Sequence, residues 1–440
     1  MMNRAYSDQF CNKLDQSLND QMSAKAPDNL RIAGWRYFVS EQEVTSIGLH
    51  ENKVGGPYAA PSINKKLTGH IHIIWHDGSH THASLDRSID TDFDQWLVLF
   101  RQASFVDPDQ PGILAPREYP RVNLWDGNIA RLPVEKHFEL IEGSTQRLKD
   151  DGIGTIDGGT NSSIGWQRIR NSAGLDIYYP VSGCSFGFYA DNTFGKSYGK
   201  RRLATDSEKN HVISTVGKMT ARLKEPSTVS LPSGKMPILL MPDVTALFLS
   251  QYIQNNLAGG AVVEGHSAFT CDDFRAKRQI LSKSLSVYIE PLRNHEYGSA
   301  PCTVEGIPSK RLAVIKDGCL QTPLLNRKYA NKANMEPTPA GPLLIPRQGK
   351  LEDLVEGIDR GIMVLSVLGL HAQDTASGSY SVTADQALVI ERGQLKGKIK
   401  ATIAGNLFAQ LSSPDFAFGF DEFSDHPGLR IMADVTVEKH

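Results

Sequence analysis

Apolar and polar residues alternate through three long stretches of this chain, and no helix separates the strands within each stretch. LRIAGWRYFVSEQEVTSIGLHENKV (30–54), LTGHIHIIWHDGSHTHASL (67–85) and IGWQRIRNSAGLDIYYPVSGCSFGFYA (164–190) each show it. A period of two places successive side chains on opposite faces, so these stretches predict strands. Asp77-Gly78 marks a hairpin turn in the second stretch, and 171–174 marks a turn in the third. Helical spacing appears elsewhere. Phe10, Leu14, Leu18 and Met22 recur every four residues, TDFDQWLVLFRQA (91–103) and PVEKHFELIEGSTQRLKDD (133–151) are amphipathic, and a polar helix is expected over 206–223. Strands and helices in separate runs predict an α+β fold in place of a doubly wound parallel sheet.

The Pro-, Ser- and Gly-rich segment PSTVSLPSGKMP (226–237) reads as a linker. It divides the chain into an N-terminal α+β region, 1–225, and a strand-rich C-terminal domain, 226–440. A further break near 120–150 would give the first region two subdomains. The proline-rich piece MEPTPAGPLLIPRQG (335–349) is expected to be irregular.

Charge and cysteine usage narrow the function classes. A net charge of −2 on 440 residues gives no basic field for nucleic acid or an anionic membrane. No apolar run approaches the roughly 20 residues that span a bilayer. The N-terminus has acids and amides where an export signal needs an apolar core. The five cysteines, at 11, 184, 271, 302 and 319, are scattered without a CxxC pair, so a reducing cytoplasm is the expected location.

Several clusters carry chemistry-bearing side chains. His70, His72, His76, His80 and His82 all fall in the hairpin about Asp77-Gly78. A two-residue loop, which Asp-Gly favours, would split them between two faces, whereas a three-residue loop pairing His76 with His80 would gather all five. Only the gathered arrangement offers convergent imidazoles to a metal, because zinc needs ligands in tetrahedral reach and not merely many of them. Glu264-Gly265-His266 could share a strand face, and His371 and Asp374 flank a Gly/Ser-rich turn. No nucleophile elbow, phosphate loop or dinucleotide fingerprint is present. One further stretch, SQYIQNNLAGGAV (250–262), follows an apolar run and aims hydroxyl and carboxamide groups from it without an acid or base.

Two C-terminal blocks resemble a known family. VLGLHAQDTASGSYSVTADQALVIERGQLKGKIKATIAGNLF (367–408) is similar to the C-terminal hallmark of the TldD/PmbA (TldE) family, historically "modulator of DNA gyrase". GSAPCTVEGIPSKRLAVIKDGCLQTPLLNRKYANK (298–332) resembles a second signature of that family. In the TldD-type members a His-Glu-x-x-x-His motif ends in a Leu-x-Gly-like step. Aligned on Leu257-Ala258-Gly259, the resemblance puts Ser250 and Asn255 at the histidine positions and Gln251 at the glutamate. It also implies a metal-binding cysteine near the C-terminus, where GLRIMADVTVEKH has none.

Those replacements imply a member without the family's zinc chemistry. A hydroxyl and carboxamides are poor zinc ligands, and Gln251 cannot shuttle a proton. The resemblance therefore implies a TldE/PmbA-like, non-catalytic subunit of a cytoplasmic metallopeptidase assembly, with no catalytic residue and no cofactor of its own, zinc belonging to the related active subunit. Its implied partners are a TldD-type subunit, a second copy of itself in a dimer, and a peptide substrate, but neither nucleic acid nor membrane. Glu305, Arg327 and Tyr329 are candidate substrate-cleft residues. The competing expectations are a peptidase with a displaced metal site in the histidine hairpin, and a homodimeric binding protein without a peptidase role.

Overall fold

Long antiparallel strands dominate the first half. The structure, a computed structural model, describes residues 4–55, 60–90 and 93–438. Strand β1 (Ile32–His50) lies at the centre of a seven-stranded sheet, with β2 (Lys53–Val54) folded back on its end. On one side follow β3 (Ser62–Trp75) and β4 (His80–Leu85); on the other come β5 (Ile156–Asn171), β6 (Asp176–Ala190) and β7 (Phe194–Lys200). Every pairing in this sheet is antiparallel.

Alternation decides which face each side chain takes. Trp35, Tyr37 and Val39 of β1 pack beneath α1 (Arg4–Met22), through Phe10, Leu14 and Leu18, and beneath α2 (Phe93–Gln102), through Leu97 and Phe100. Farther along the strand, Ile47 and Leu49 join Ile141 and Leu148 of α3 (Glu135–Asp150) and Val212 and Val216 of α4 (Asp206–Lys224). Each such fully buried aliphatic side chain contributes about 1.5–3 kcal/mol over exposure. Thr205 and Glu208 form a capping box that starts α4. The intervening β1 positions, including Arg36 and Phe38, project to the other face. There Phe38 meets Ile169, Ile177 and Cys302, so this face looks onto the C-terminal half.

The second half closes on itself. Strand β8 (Gly234–Leu240) pairs in parallel with β13 (Arg360–Leu368), which pairs with β14 (Ser379–Glu391), then β15 (Gln394–Asn406), while β17 (Gly428–Val437) pairs with both β8 and β15. That cycle makes a five-stranded barrel, with β16 (Ala417–Gly419) attached to β17. Closure removes the unpaired edges that an open sheet leaves exposed. One alternate set, including Ile238, Val364, Val382, Ile403 and Ile431, shares a core with Phe248 and Tyr252. The opposite set, Leu239, Met363, Leu388 and Ile390, packs against Leu223 of α4. A small sheet of β9 (Val287–Ile289), β10 (Leu312–Lys316), β11 (Cys319–Leu320) and β12 (Leu343–Leu344) completes the α+β fold. Among the described residues no helix is long and apolar enough to cross a membrane.

The hairpin turn departs from the two-residue loop that Asp-Gly favours. Trp75 N–H donates to Ser79 O at 2.9 Å, and Gly78 N–H donates to Trp75 O at 3.0 Å, so the loop is His76-Asp77-Gly78. Gly78 takes φ +81°, the left-handed conformation that ends a three-residue loop. Asp77 Oδ1 accepts from Ser79 N–H at 3.0 Å and from its hydroxyl at 2.7 Å, which favours the longer turn. His72 therefore lies opposite His82, and Ile74 opposite His80. Four of the five histidines share a face, and His76 stays in the turn.

Candidate functional site: a cleft between sheet and barrel domain

Helix α5 (Pro242–Phe248) leaves β8 and runs into a π-helical stretch, Leu249–Gln254. The backbone N–H of Asn255 donates to Ser250 O, the i+5 bond that defines this geometry. In an α-helix, positions five apart diverge. The wider turn here brings 250 and 255 closer to one face than an α-helix would. Phe248 and Tyr252 fix the helix from below, both fully buried, with Tyr252 O–H donating to Ser379 O at 3.0 Å. Asn256 is consumed structurally: its amide nitrogen donates to Tyr252 O and Thr375 O, each at 2.8 Å, and its Oδ1 accepts from Ala268 N–H at 2.6 Å.

The end of this helix is stitched to the segment beyond β11. Leu324 N–H donates to Leu257 O at 2.7 Å, and Gly259 N–H donates to Leu324 O at 2.9 Å. Only glycine fits there, since a Cβ at 259 would lie 2.6 Å from Leu324 O.

Ser250 and Asn255 are exposed and Gln251 is half-buried; among the described residues none of the three side chains makes a hydrogen bond. Ser250 lines a cavity of about 360 Å³ with Leu247, Ile253, Gln254, Val287 and His426. The donors at 250, 251 and 255 are a hydroxyl and two carboxamides. This set does not fit zinc, which takes imidazole, thiolate or carboxylate.

A larger cavity, about 530 Å³, lies between the sheet and the C-terminal half. Arg36, Phe38, His70, His72 and His82 line it from the sheet; Gln254, Thr303, Glu305, Leu324 and Thr338 line it from the other side. Arg36 Nη2 and Glu305 Oε1 form an ion pair at 3.0 Å, both largely buried. Glu305 Oε2 accepts from the backbone N–H of Arg327 at 2.9 Å. Burial lowers the pKa of both Arg36 and Arg327; Glu305 opposes that lowering in each, while Arg327 adds to it at Arg36 and Arg117 adds to it at Arg327.

The imidazoles pack together more than they converge. The rings of His72 and His82 stack at 4.2 Å between centroids, 5° from parallel, and His72 Nε2 lies 3.0 Å from His80 Nδ1. Phe105 covers His82 and His80. Burial, then the positive charge of Arg36, pushes the His72 pKa down to about 2. Burial also lowers His70, His80 and His82, with Arg36 adding to each. These rings are therefore held neutral. Among the described residues, no three His, Cys, Asp or Glu side chains are arranged to hold a metal ion.

The structure thus joins Glu305 to His70, His72 and His82, with Arg327 tied to Glu305 through its main chain. Tyr329 lies elsewhere, its ring against Gly260. Glu264 ends a short helix, Gly259–Glu264, and pairs with Lys332 at 2.7 Å, so Glu264 and His266 share no strand face. His371 sits in a 3-10 turn and Asp374 caps Ala376 N–H at 3.0 Å; the two form no pair. Sequence reading missed Arg36, and saw Gln254 only as one of the polar groups at 250–256. Strand alternation would have placed Arg36 opposite the helix-covered face, but nothing in the sequence says what that face meets.

Residues 233–418 match the PmbA/TldA metallopeptidase C-terminal domain family. The metalloprotease PmbA of Escherichia coli O157:H7 is 28% identical over 326 residues, covering 69% of this chain and 70% of that one. A metalloprotease of Methanocaldococcus jannaschii is 21% identical over 315 residues, covering 66% and 68%. Among solved structures, TldE from Thermococcus kodakarensis superposes with a TM-score of 0.79 at 16% identity, over 97% of this chain and 99% of the other, which shows the shared fold. The C-terminal domain thus belongs to the PmbA/TldA metallopeptidase C-terminal domain family, and the sequence matches carry the likeness to TldD/PmbA (TldE) proteins over about two thirds of the chain.

Proposed function

We propose that this chain is a non-catalytic subunit of a TldD/TldE-type cytoplasmic metallopeptidase assembly acting on peptides. The π turn at 249–254 carries the reading: it has the geometry that aligns residues five apart, and the side chains there cannot ligate zinc. Strand β17, which runs to Val437, also lacks a cysteine, so the resemblance supplies no thiolate at the C-terminal position either. Helix and barrel then serve to shape a chamber. Its peptide cleft is the cavity about Arg36 and Glu305, and the catalytic groups come from a TldD-type partner. A dimer of identical chains is the other assembly compatible with this role.

Elemental analysis of tag-free chain purified without chelator, together with co-purification against a TldD-type subunit, tests the proposal. The expected result is zinc at under about a tenth of an ion per chain and a stable mixed complex whose peptide hydrolysis exceeds that of the partner alone. Stoichiometric zinc with hydrolysis by the isolated chain would overturn it.

A further inference from the structure

The cleft contains a cation that its counter-ion only half satisfies. Glu305 divides its two carboxylate oxygens between Arg36 Nη2 and the main-chain N–H of Arg327. A bidentate carboxylate would have occupied both arms of the guanidinium fork. Instead Arg36 Nη1 is buried without a hydrogen-bond partner. Its cross-strand neighbour His72, 2% exposed, likewise has a buried Nδ1 without a partner. A buried donor left unpaired costs about 1–3 kcal/mol, so the native fold holds a site in need of an acceptor.

The local charge has the right sign. Arg36 lines the cleft and Arg327, its guanidinium donating to Gly112 O, stands beside it; these two cations have one neighbouring carboxylate, Glu305, and both disfavour protonation of His72. One positive charge remains uncompensated. The rest of the wall includes Phe38, Ile289, Leu324, Leu325, Pro339 and Ala340. One surplus charge beside apolar side chains suits a monoanion attached to an apolar group better than a dianion.

We propose that this cleft captures the free C-terminal carboxylate of a peptide with an apolar last residue, through Arg36, with His72 as a supporting donor. The choice of a peptide rests on the subunit reading above; the carboxylate chemistry rests on Arg36, His72 and Glu305. In this arrangement Glu305 is an internal competitor that holds the guanidinium in place until a peptide end arrives. Removing the competitor should therefore strengthen binding, an effect that loss of mere structural support cannot produce.

The test is titration of the full chain, by calorimetry and by histidine-ring NMR, with acetyl-Ala-Leu-Leu ending in a free acid. Its C-terminal amide and an amidated peptide carrying an internal Glu are the comparison ligands. The free acid should bind at least about tenfold more tightly than either, the ratio that 1.4 kcal/mol provides, and should shift the His72 and His82 resonances. Glu305→Gln should tighten the free acid by a comparable factor, and Arg36→Gln should erase the preference for acid over amide. Equal binding of acid and amide, preference for the Glu side chain, or absence of binding by all three would overturn the proposal. So would a Glu305→Gln variant that stays folded by circular dichroism and binds more weakly. Should Arg36→Gln fail to fold, Arg36→Lys keeps the charge, removes the fork and should halve the discrimination or worse. None of these results alters the metal content or co-purification that tests the subunit role.

Discussion

The helix at 249–257 and the hairpin at 70–82 each have one of the two things that metal coordination requires and lack the other. The helix has a turn that aligns two positions, yet carries Ser250 and Asn255 there. The hairpin has four imidazoles on one face, yet stacks them flat and hydrogen-bonds one to another. Coordination needs ligands and convergence together, so neither region suffices. The comparison separates two things that a motif merges: backbone geometry, secured by core packing, and ligand chemistry, carried by a few exposed side chains that can change without disturbing the fold.

Three measurements probe that separation. The largest effect should come from Tyr252→Ala, which removes a fully buried ring and its bond to Ser379 O beneath the exposed positions. Urea unfolding should show a loss of about 3–5 kcal/mol. A loss below about 1 kcal/mol would mean that the core does not hold the turn in shape.

On the hairpin side, His72 titrates near 6.5 when unfolded and is held near 2 in the fold. Between those values the unfolded chain binds the extra proton. The stability associated with His72 is therefore complete above about pH 6.5 and is lost as pH falls toward 2, at up to about 1.4 kcal/mol per unit. From pH 7 to 5 the parent should lose about 2 kcal/mol more than His72→Gln. Parallel unfolding curves across that range would show that the ring is not held neutral by the fold.

The smallest effect should come from supplying ligands where the geometry already exists. Ser250→His with Asn255→His should raise zinc affinity by about tenfold or more, or about 1.4 kcal/mol, by calorimetry. Adding Gln251→Glu should still give no peptide turnover, because the C-terminal thiolate is missing. No gain in affinity would show that the π turn does not bring 250 and 255 to one face.

Much of the architecture was legible because alternation is a local property. The runs at 30–54 and 164–190 became β1, β5 and β6, the turn at 171–174 joined the last two, and the four-residue stripe on Phe10, Leu14 and Leu18 became the buried side of α1. Barrel closure was not legible. Pairing of β15 with β17 depends on strands meeting across a gap of some thirty residues, which no window of sequence contains. The histidine face was misjudged by one loop residue. Asp-Gly signals a turn, but the side-chain bonds of Asp77 to Ser79 chose its length, and one residue of register moves every side chain to the opposite face. At the candidate site, Glu305 could be named from its signature block. Its partner Arg36 lies some 270 positions earlier, and only the tertiary fold brings the two together.

Leu324 links the helix at 249–257 to the wall of the larger cavity. Its amide and carbonyl are both committed to the helix end, at Leu257 and Gly259, while its side chain lines the space in front of Arg36. The absence of a side chain at 259 lets the two backbones touch. Helix end and cleft wall are therefore one main-chain junction: the two hydrogen bonds that seat the helix also set where the Leu324 side chain stands in front of Arg36.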